Sequence, residues 1–371
     1  MSTMHRPSIC IWVGFLFKLA RLLPMIFVLG CADEAPPEAK TDSSVSGGGY
    51  RRDVPGPSIS FYYWKTIFNP GDESGNRLKQ VAVERLYLRF FEVTLDERGK
   101  PVPQATVAFA QQPTLPVVPV IYLENSVFGS DILDESDLAD KLFDRVAGMI
   151  EAHELKAVKE LHLDCDWTSA TRESFFAFAA ALKKKQPPGW QLAVTLRLDQ
   201  FHNFSTTGVP PADKGILMAY NMGNLRQPGR HNSIIEPAIA ARYLKGNGQY
   251  PLPLDIALPL FSWVVVFNDQ DQFQGLLRTV PPELADSSLC VDDGGGLFTA
   301  KQSFHSSGGT LIPAGWRLRL EEPGAEDLLA VADLLRQAVP QSEFLVFYHM
   351  DESIIRRWPA DVLESIAGRC H

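Results

Sequence analysis

Hydrophobic and polar residues alternate most clearly over residues 160–168, which read Glu-Leu-His-Leu-Asp-Cys-Asp-Trp-Thr. The apolar set is Leu161, Leu163 and Cys165, and the polar set is His162, Asp164 and Asp166. A period of two residues predicts a β-strand with one face apolar and the other polar. Two carboxylates at the end of such a strand, just before a helical pattern, are typical of the active-site end of a βα-barrel.

Seven further segments have the composition or the alternation of strands. With the first, the predicted strands cover 58–64, 83–93, 116–123, 160–168, 192–198, 215–221, 254–266 and 344–349. Helical spacing of apolar residues covers 138–150, 175–182, 234–244 and 326–338. Because strands and helices alternate and the strands number eight, the pattern predicts an α/β fold, a (β/α)8 TIM-like barrel.

The regularity fails in two places. Between the fifth and sixth strands, residues 199–213 have the composition of a loop. Between strands 7 and 8, residues 268–323 form an insertion with two glycine clusters, and we expect short strands in it, for example at 316–320.

The N-terminal 57 residues have the pattern of a targeting segment and a linker. Positive charges at Arg6, Lys18 and Arg21 surround apolar stretches that are too short for the ~20 residues of a membrane span, which disfavours a transmembrane anchor. The sequence Val-Leu-Gly-Cys31 then resembles the lipobox of bacterial lipoproteins. The resemblance implies a signal peptide at 1–30 and a lipid on Cys31 that anchors the protein to the cell envelope, with Ala32 favouring the outer membrane in a diderm bacterium.

Residues 31–57 are rich in Pro, Ser, Gly and charge, which predicts a flexible tether, so the folded domain is expected at 58–371. The net charge of −9 without a basic stripe predicts no nucleic-acid partner. No phosphate-binding loop, dinucleotide fingerprint, HExxH or GxSxG motif is present in the sequence, so we expect no cofactor.

The cysteines define neither a disulfide framework nor a metal site. Of the five, Cys10 falls in the signal peptide and Cys31 at the lipobox, which leaves Cys165, Cys290 and Cys370. They lack CxxC or His-Cys spacing, so no metal site is predicted. A single bridge between Cys290 and Cys370 stays open.

Polar and aromatic residues follow nearly every predicted strand, and in a barrel these positions meet at one end. The candidate catalytic carboxylates are Asp164, Asp166, Glu92, Glu124 and Asp199. The candidate substrate-binding residues are Trp64, Arg89, Trp167, Arg197, Tyr220, Asn221, Trp263 and Tyr348. Such a set suits a glycan, because aromatic faces stack on sugar rings and charged or amide groups bind hydroxyls. The alternative is internal pairing of barrel residues, for example of Arg89 or Arg197 with Asp164.

Several segments resemble an uncharacterised bacterial family of TIM-barrel lipoproteins, over residues 58–280. They include Tyr-Trp-Lys-Thr at 63–66, Leu-Asp-Cys-Asp-Trp-Thr at 163–168 and Met-Ala-Tyr-Asn-Met-Gly at 218–223. More distantly, two segments resemble chitinase-type glycosidases, which end their fourth strand in D-x-x-D-x-D-x-E and their sixth in M-x-Y-D. Asp164, Asp166 and Trp167 match the first pattern, and Met218 and Tyr220 match the second. Thr168 stands in place of that family's catalytic glutamate, and Asn221 replaces its aspartate.

Three functions are consistent with these features. The first is a membrane-anchored glycoside hydrolase, in which like charges raise the pKa of one member of the Asp164–Asp166 pair and another carboxylate assists. The second is a glycan-binding lipoprotein without catalysis, because Thr168 replaces the acid. The third is an envelope protein whose insertion docks a partner.

Overall fold

The computed structural model describes residues 56–246 and 249–370. The predicted signal peptide (1–30), the lipidation site Cys31 and nearly all of the predicted tether (31–57) lie outside these ranges and stay predictions. Within the described ranges, no helix is both long and apolar enough to cross a membrane.

Eight parallel strands close into a barrel, which confirms the predicted fold class. In chain order they are β1 Ser58–Tyr63, β2 Arg85–Leu95, β3 Val117–Leu123, β4 Glu160–Cys165, β5 Gln191–Arg197, β6 Lys214–Met218, β7 Leu254–Pro259 and β8 Phe344–Tyr348. Each strand pairs with the next one along the chain, and β1 closes the ring by pairing with both β2 and β8. A short strand, Pro101–Gln104, pairs antiparallel with the end of β2.

Helices connect most of the strands and cover the barrel. They are α1 Gly71–Gln80, α2 Glu135–Ala152, α3 Arg172–Lys185, α4 Leu198–His202, α5 Phe204–Thr207, α6 Pro237–Leu244, α7 Ala325–Ala338, α8 Glu352–Ile355 and α9 Ala360–Arg369, with 3-10 turns at Asn125–Gly129 and Pro282–Ala285. In α2 the Asp134 side chain accepts hydrogen bonds from two backbone N–H groups of the first turn, which fixes where the helix begins. Its buried residues Leu138, Leu142 and Val146 have the predicted helical spacing.

Two of the predicted boundaries are wrong. The segment 199–213, predicted as a loop, contains the short helices α4 and α5. The long apolar run 254–266 is not one strand: β7 ends at Pro259, and Trp263–Phe267 belongs to a different sheet. Both halves of the run are buried, so hydrophobicity alone does not show where the chain leaves the barrel.

The insertion therefore begins near Trp263 rather than at residue 268. It is built on a five-stranded antiparallel sheet formed by Trp263–Phe267, Phe273–Leu277, Cys290–Gly294, Leu297–Ala300 and Arg317–Glu321. The last strand confirms the predicted strand near 316–320. The sheet has a small hydrophobic core of its own, which includes Val264, Val266 and Leu318.

Buried charges fill the barrel at the N-terminal ends of its strands. The Lys214 ammonium group lies 2.5 Å from Asp255 and 3.2 Å from Glu160, and the Arg85 guanidinium lies 2.8 Å from Glu160. Each of these buried charges has an oppositely charged partner, so the network is a structural element of this end of the barrel. In βα-barrels the active site lies at the opposite end, where the strands have their C-termini.

The three described cysteines, Cys165, Cys290 and Cys370, are all free and buried. Cys290 packs in the core of the insertion and Cys370 in the core of the barrel. The bridge that the sequence left open between these two residues is therefore not formed.

Candidate functional site

The inward face of β4 carries His162 and Asp164, as the alternation predicted, and Asp166 follows the end of the strand. The Asp164 carboxyl group is buried deeply enough that desolvation, followed by the negative charge of Asp166, raises its pKa to about 7. A hydrogen bond with the Thr195 hydroxyl and the charge of Arg197 act in the opposite direction. This carboxyl group therefore holds its proton near neutral pH.

Four tyrosines from four different strand ends surround Asp164. They are Tyr62 of β1, Tyr122 of β3, Tyr220 just after β6 and Tyr348 of β8. Burial raises the pKa of each phenol, and the negative charge of Asp164 adds to the effect in all four. Asp164 is thus the polar centre on which the strand ends converge.

Aromatic rings form the floor of the barrel mouth, and we refer to Tyr62, Trp64, Tyr220, Phe261 and Tyr348 as the mouth cluster. Tyr348 is stacked on Tyr220, with ring centroids 5.6 Å apart and an interplanar angle of 26°. Trp64 and Phe261 meet Tyr348 edge to face, at 5.5 and 5.7 Å. Trp64, Phe261 and Tyr348 keep part of their surface accessible, so the cluster offers apolar faces to a ligand.

A bulge in β2 places two charged residues in the mouth. The register shifts between Arg89 and Phe91, so that Arg89 pairs with Val120 and Glu92 with Tyr122 of β3. Residues three apart then face the same side, and the Arg89 guanidinium binds the Glu92 carboxylate. This guanidinium also lies 5.7 Å from the ring centre of Trp64.

Glu124 and Asp166 lie at the ends of neighbouring strands. Tyr122 and Asp164 are register partners, and Glu124 and Asp166 each follow two residues further along the chain, just past the strand ends. The Asp166 carboxylate is half exposed, and one of its oxygens lies 3.4 Å from Arg197 Nε. The negative charges of Glu124, Asp164 and Asp166 all raise the pKa of Tyr122, so these three candidate carboxylates lie around one phenol.

The remaining predicted carboxylate, Asp199, does not join this group. It is exposed in the first turn of α4 and accepts a hydrogen bond from the Asn203 side chain at 2.7 Å. The prediction failed because Asp199 follows β5 inside a helix that the sequence pattern did not reveal.

Two predicted stacking residues are wrong as well. Trp167 is 1% exposed, and its ring stacks on Phe175 inside the core at 5.1 Å. Trp263 is 8% exposed, and its indole N–H donates to Glu321 at 2.7 Å. The Trp263 ring packs behind Phe261 at 5.2 Å. Both indole rings are buried, so neither offers an open face to a ligand.

Asn221 is exposed and lies just beyond β6. Its backbone has φ = 53°, in the left-handed region that asparagine tolerates better than most residues. Its N–H donates to the Ile234 carbonyl at 2.7 Å, which fixes the loop that carries it.

Thr168 occupies the position of the glutamate in the resembled motif, and its surroundings are hydrogen-bonded. Its N–H donates to Thr171 Oγ1 at 3.0 Å, and that hydroxyl donates to the Asn125 side chain at 2.5 Å. The position therefore offers a hydroxyl group and no acid.

Sequence reasoning missed three residues of the mouth, Tyr62, Tyr122 and Phe261, and it missed Thr195 just beneath the mouth. Strand alternation assigns Tyr122 to the same face as Glu124, and the pairing of β4 with β5 places Thr195 beside Asp164. Phe261 had no such signal, because it follows the unrecognised end of β7.

In the part of the chain that the structure describes, no group of three or more His, Cys, Asp or Glu side chains has the arrangement of a metal site. Two of the candidate carboxylates have protein cations as neighbours instead, with Arg89 beside Glu92 and Arg197 beside Asp166.

No known protein family model and no curated protein matches this chain. Solved structures with a similar architecture include the spore cortex-lytic enzyme SleL of Bacillus cereus, at 13% identity and a TM-score of 0.48 over 84% of this chain and 74% of that one. A chitinase from Bacteroides thetaiotaomicron has 9% identity and a TM-score of 0.49 over 84% and 97%. A chitinase from Rhizomucor miehei has 11% identity and a TM-score of 0.48 over 83% and 99%. Such low values support no inference about activity.

Proposed function

We propose that this chain is a lipid-anchored, carbohydrate-active protein that binds a glycan at the barrel mouth and hydrolyses a glycosidic bond with Asp164 as the proton donor. The observation that carries the proposal is the position of Asp164 at the centre of the aromatic and acidic strand ends, where burial raises its pKa to about 7. A glycosidase needs a proton donor for the leaving oxygen and a second carboxylate nearby.

Side chains of the mouth can donate and accept each proton that hydrolysis of a glycosidic bond requires. A sugar ring rests on the accessible faces of the mouth cluster, and Asp164 gives its proton to the glycosidic oxygen as the C–O bond breaks. The Glu124 carboxylate takes a proton from the water that attacks the sugar carbon and then releases it to solvent, and solvent returns a proton to Asp164. Adjacent strands lie about 4.8 Å apart, which puts carboxyl groups at their ends within reach of the separations of about 5–10 Å that glycosidases use.

The proposed location follows from residues outside the described ranges. A lipid on Cys31 would hold the barrel at the cell envelope, with residues 31–57 as a tether. The glycans within reach of the barrel mouth would then be those of the cell envelope and of the surrounding medium.

The test is binding and turnover of a polysaccharide panel (chitin, peptidoglycan, α- and β-glucans) by the full-length chain and three variants. Asp164→Asn and Asp166→Asn remove single carboxylates from the mouth, and Asp199→Asn removes an exposed one as the matched control. We expect Asp164→Asn to lower turnover at least ~100-fold, the range of general acid catalysis, and Asp199→Asn to change it less than twofold. Wild-type turnover in Asp164→Asn would assign the acid elsewhere.

A second function, glycan binding without cleavage, is favoured by one observation: Thr168 supplies a hydroxyl group where the resembled motif has its acid. Binding of a glycan without turnover by the wild-type chain would establish it. In that case Thr168→Glu is expected to create turnover, whereas Thr168→Gln, which adds a side chain of the same shape without the acid, is not.

The docking hypothesis for the insertion finds less support. In the described insertion, the large apolar side chains that remain exposed are Val291 and Leu311. Val291 lies in the five-stranded sheet, and Leu311 lies in a separate two-stranded sheet formed by Phe304–His305 and Leu311–Ile312. Two exposed apolar side chains are a small area for a docking surface.

A further inference from the structure

A chain of buried polar groups lies beneath Asp164. His162 is fully buried on the inward face of β4, and its Nε2 lies 2.8 Å from the Thr195 hydroxyl on β5. The register pairs His162 with Ala193 and Leu163 with Val194, so Thr195 is the next residue on β5 and lies beside Asp164. This register sets the Thr195 hydroxyl next to the Asp164 carboxyl group, and hydrogen bonding from Thr195 lowers the pKa of Asp164.

We propose that His162 and Thr195 form a positioning chain in which His162 Nε2–H donates to Thr195 and Thr195 donates to Asp164, so that the acidic proton of Asp164 is directed to the barrel mouth. The proposal rests on the proposed function of Asp164. His162 and Thr195 are positioning residues, because neither reaches the mouth.

The direction of the positioning chain follows from the number of protons available. Burial, followed by the charge of Lys214, lowers the pKa of His162 to about 3, so its ring is neutral and carries one N–H. His162 Nδ1 is buried without a hydrogen-bond partner among the described residues. A buried N–H without an acceptor is costlier and rarer than an unused acceptor, so the proton belongs on Nε2.

The acceptor of this N–H is Thr195 rather than Tyr62. The Tyr62 hydroxyl lies 3.4 Å from Nε2, compared with 2.8 Å for Thr195, and the shorter contact has the length of a hydrogen bond with good geometry. Once Thr195 accepts from His162, its single proton is directed to Asp164. The Asp164 oxygen that accepts this hydrogen bond is then occupied, so the acidic proton of Asp164 stays on the other carboxyl oxygen.

Other charged and titratable groups also face Asp164. Asp166 and Arg197 act from the ends of β4 and β5, and Tyr62, Tyr122, Tyr220 and Tyr348 act from β1, β3, β6 and β8. Substitution of Thr195 or His162 removes none of these groups, so we expect a shift in the pKa of Asp164 to report on the hydrogen bond from Thr195.

The experiment is a carbon-13 NMR titration of the aspartate carboxyl groups in the full-length chain, with Asp164→Asn used for assignment. Thr195→Val keeps the shape of the side chain and removes the hydroxyl, whereas Thr195→Ser keeps the hydroxyl. Because the lost bond stabilises the charged carboxylate, we expect Thr195→Val to raise the Asp164 midpoint by about 1 pH unit, and Thr195→Ser to leave it within about 0.3 units.

The same samples, labelled with nitrogen-15 at histidine, report the tautomer of His162. We expect Nε2–H in the wild type, and we expect His162→Gln, which places an amide donor near the same point, to keep the Asp164 midpoint while His162→Leu raises it. An unchanged midpoint in Thr195→Val, or a proton on Nδ1, would overturn the positioning chain.

These readouts do not require turnover. A glycan panel that shows no cleavage, together with the expected midpoint shift, would remove the proposed reaction and leave the hydrogen-bond chain in place. Glycan cleavage by the wild type, together with an unchanged Asp164 midpoint in Thr195→Val, would support the proposed reaction and overturn the positioning chain.

Discussion

At the scale of single residues, the environment of a side chain decides its chemistry more than its identity does. Asp164 lies on β4 and Asp166 just past its end, yet the first is enclosed by tyrosines and the second is half exposed beside Arg197. The enclosed carboxyl group keeps its proton near neutral pH, and the exposed one supplies negative charge. Alternation predicted that both belong to the polar face of the strand, whereas the difference between them depends on strands distant in sequence.

The raised pKa of Asp164 predicts a pH dependence of stability. An unfolded aspartate ionises near pH 4, whereas the folded one stays protonated to about pH 7, so its contribution to the free energy of unfolding falls as pH rises from about 4 to about 7. The loss amounts to roughly 4 kcal/mol at most. Asp164→Asn removes it, so urea unfolding should show the variant gaining stability relative to wild type between pH 5 and pH 8.

The comparison with Asp164→Asn is needed because buried histidines act in the opposite direction. The lowered pKa of His162, about 3, and of His349, about 4, means that both add stability as pH rises toward 6.5. These contributions are common to both proteins and cancel in the difference. A difference that stays constant from pH 5 to pH 8 would contradict the assignment of Asp164.

Removing the ring of Tyr348 should weaken glycan binding. Its ring is the partner of Tyr220, Trp64 and Phe261 in the mouth cluster, and part of its surface is accessible. Tyr348→Ala should raise the Kd for a bound oligosaccharide about tenfold, since aromatic contacts contribute about 0.5–1.5 kcal/mol beyond area burial. Tyr348→Phe should bind like wild type. Isothermal titration calorimetry measures both, and equal affinity of the alanine variant would place the glycan elsewhere.

At the scale of elements, periodicity located the barrel strands but not the point where the chain leaves the barrel. The run 254–266 is apolar throughout because β7 is buried in the barrel and Trp263–Phe267 in the insertion sheet. The break shows itself only in the pairing, since Leu260 makes the last backbone bond to β8, from its N–H to the Tyr348 carbonyl at 2.7 Å. The same missed boundary explains why Trp263 was assigned to the mouth.

The insertion is joined to the loop after β6 by a buried carboxylate, Glu321. It accepts hydrogen bonds from Ser233, from the Trp263 indole at 2.7 Å and from Arg319 at 2.7 Å. Arg319 also donates to backbone carbonyls of that loop, among them Gly229 at 3.1 Å. Because Asn221 begins this loop, the insertion sheet supports one side of the mouth.

Glu321→Ala should therefore destabilise the protein strongly. It leaves the buried Arg319 charge without its partner, and breaking a buried ion pair in this way costs about 3–5 kcal/mol. Arg317→Ala on the same strand is the matched control, because its pair with Asp271 is nearly half exposed and should contribute less than about 1 kcal/mol. Chemical denaturation compares them, and equal losses in the two variants would contradict the role of Glu321.

At the scale of the whole molecule, the barrel was predictable because many independent signals agree on it. Eight strand patterns, the intervening helices and the position of the polar strand ends all require the same closed sheet, so errors at single boundaries leave the fold unchanged. The site was only partly predictable, because Trp167 and Asp199 lie beyond the ends of their strands, where the period of two no longer specifies a direction.

The predicted division into tether and barrel gives the last prediction. The barrel's first strand begins at Ser58, so a fragment from Ser58 onward should fold alone, with a Tm within about 2 °C of the full-length chain, because residues 31–57 are expected to add no core. In cells, the full-length chain should fractionate with membranes and incorporate labelled fatty acid, and Cys31→Ser should abolish the incorporation while leaving the Tm unchanged. Fatty-acid labelling of the serine variant would contradict lipidation at Cys31, and failure of the fragment to fold would show that the N-terminal segment contributes to the barrel.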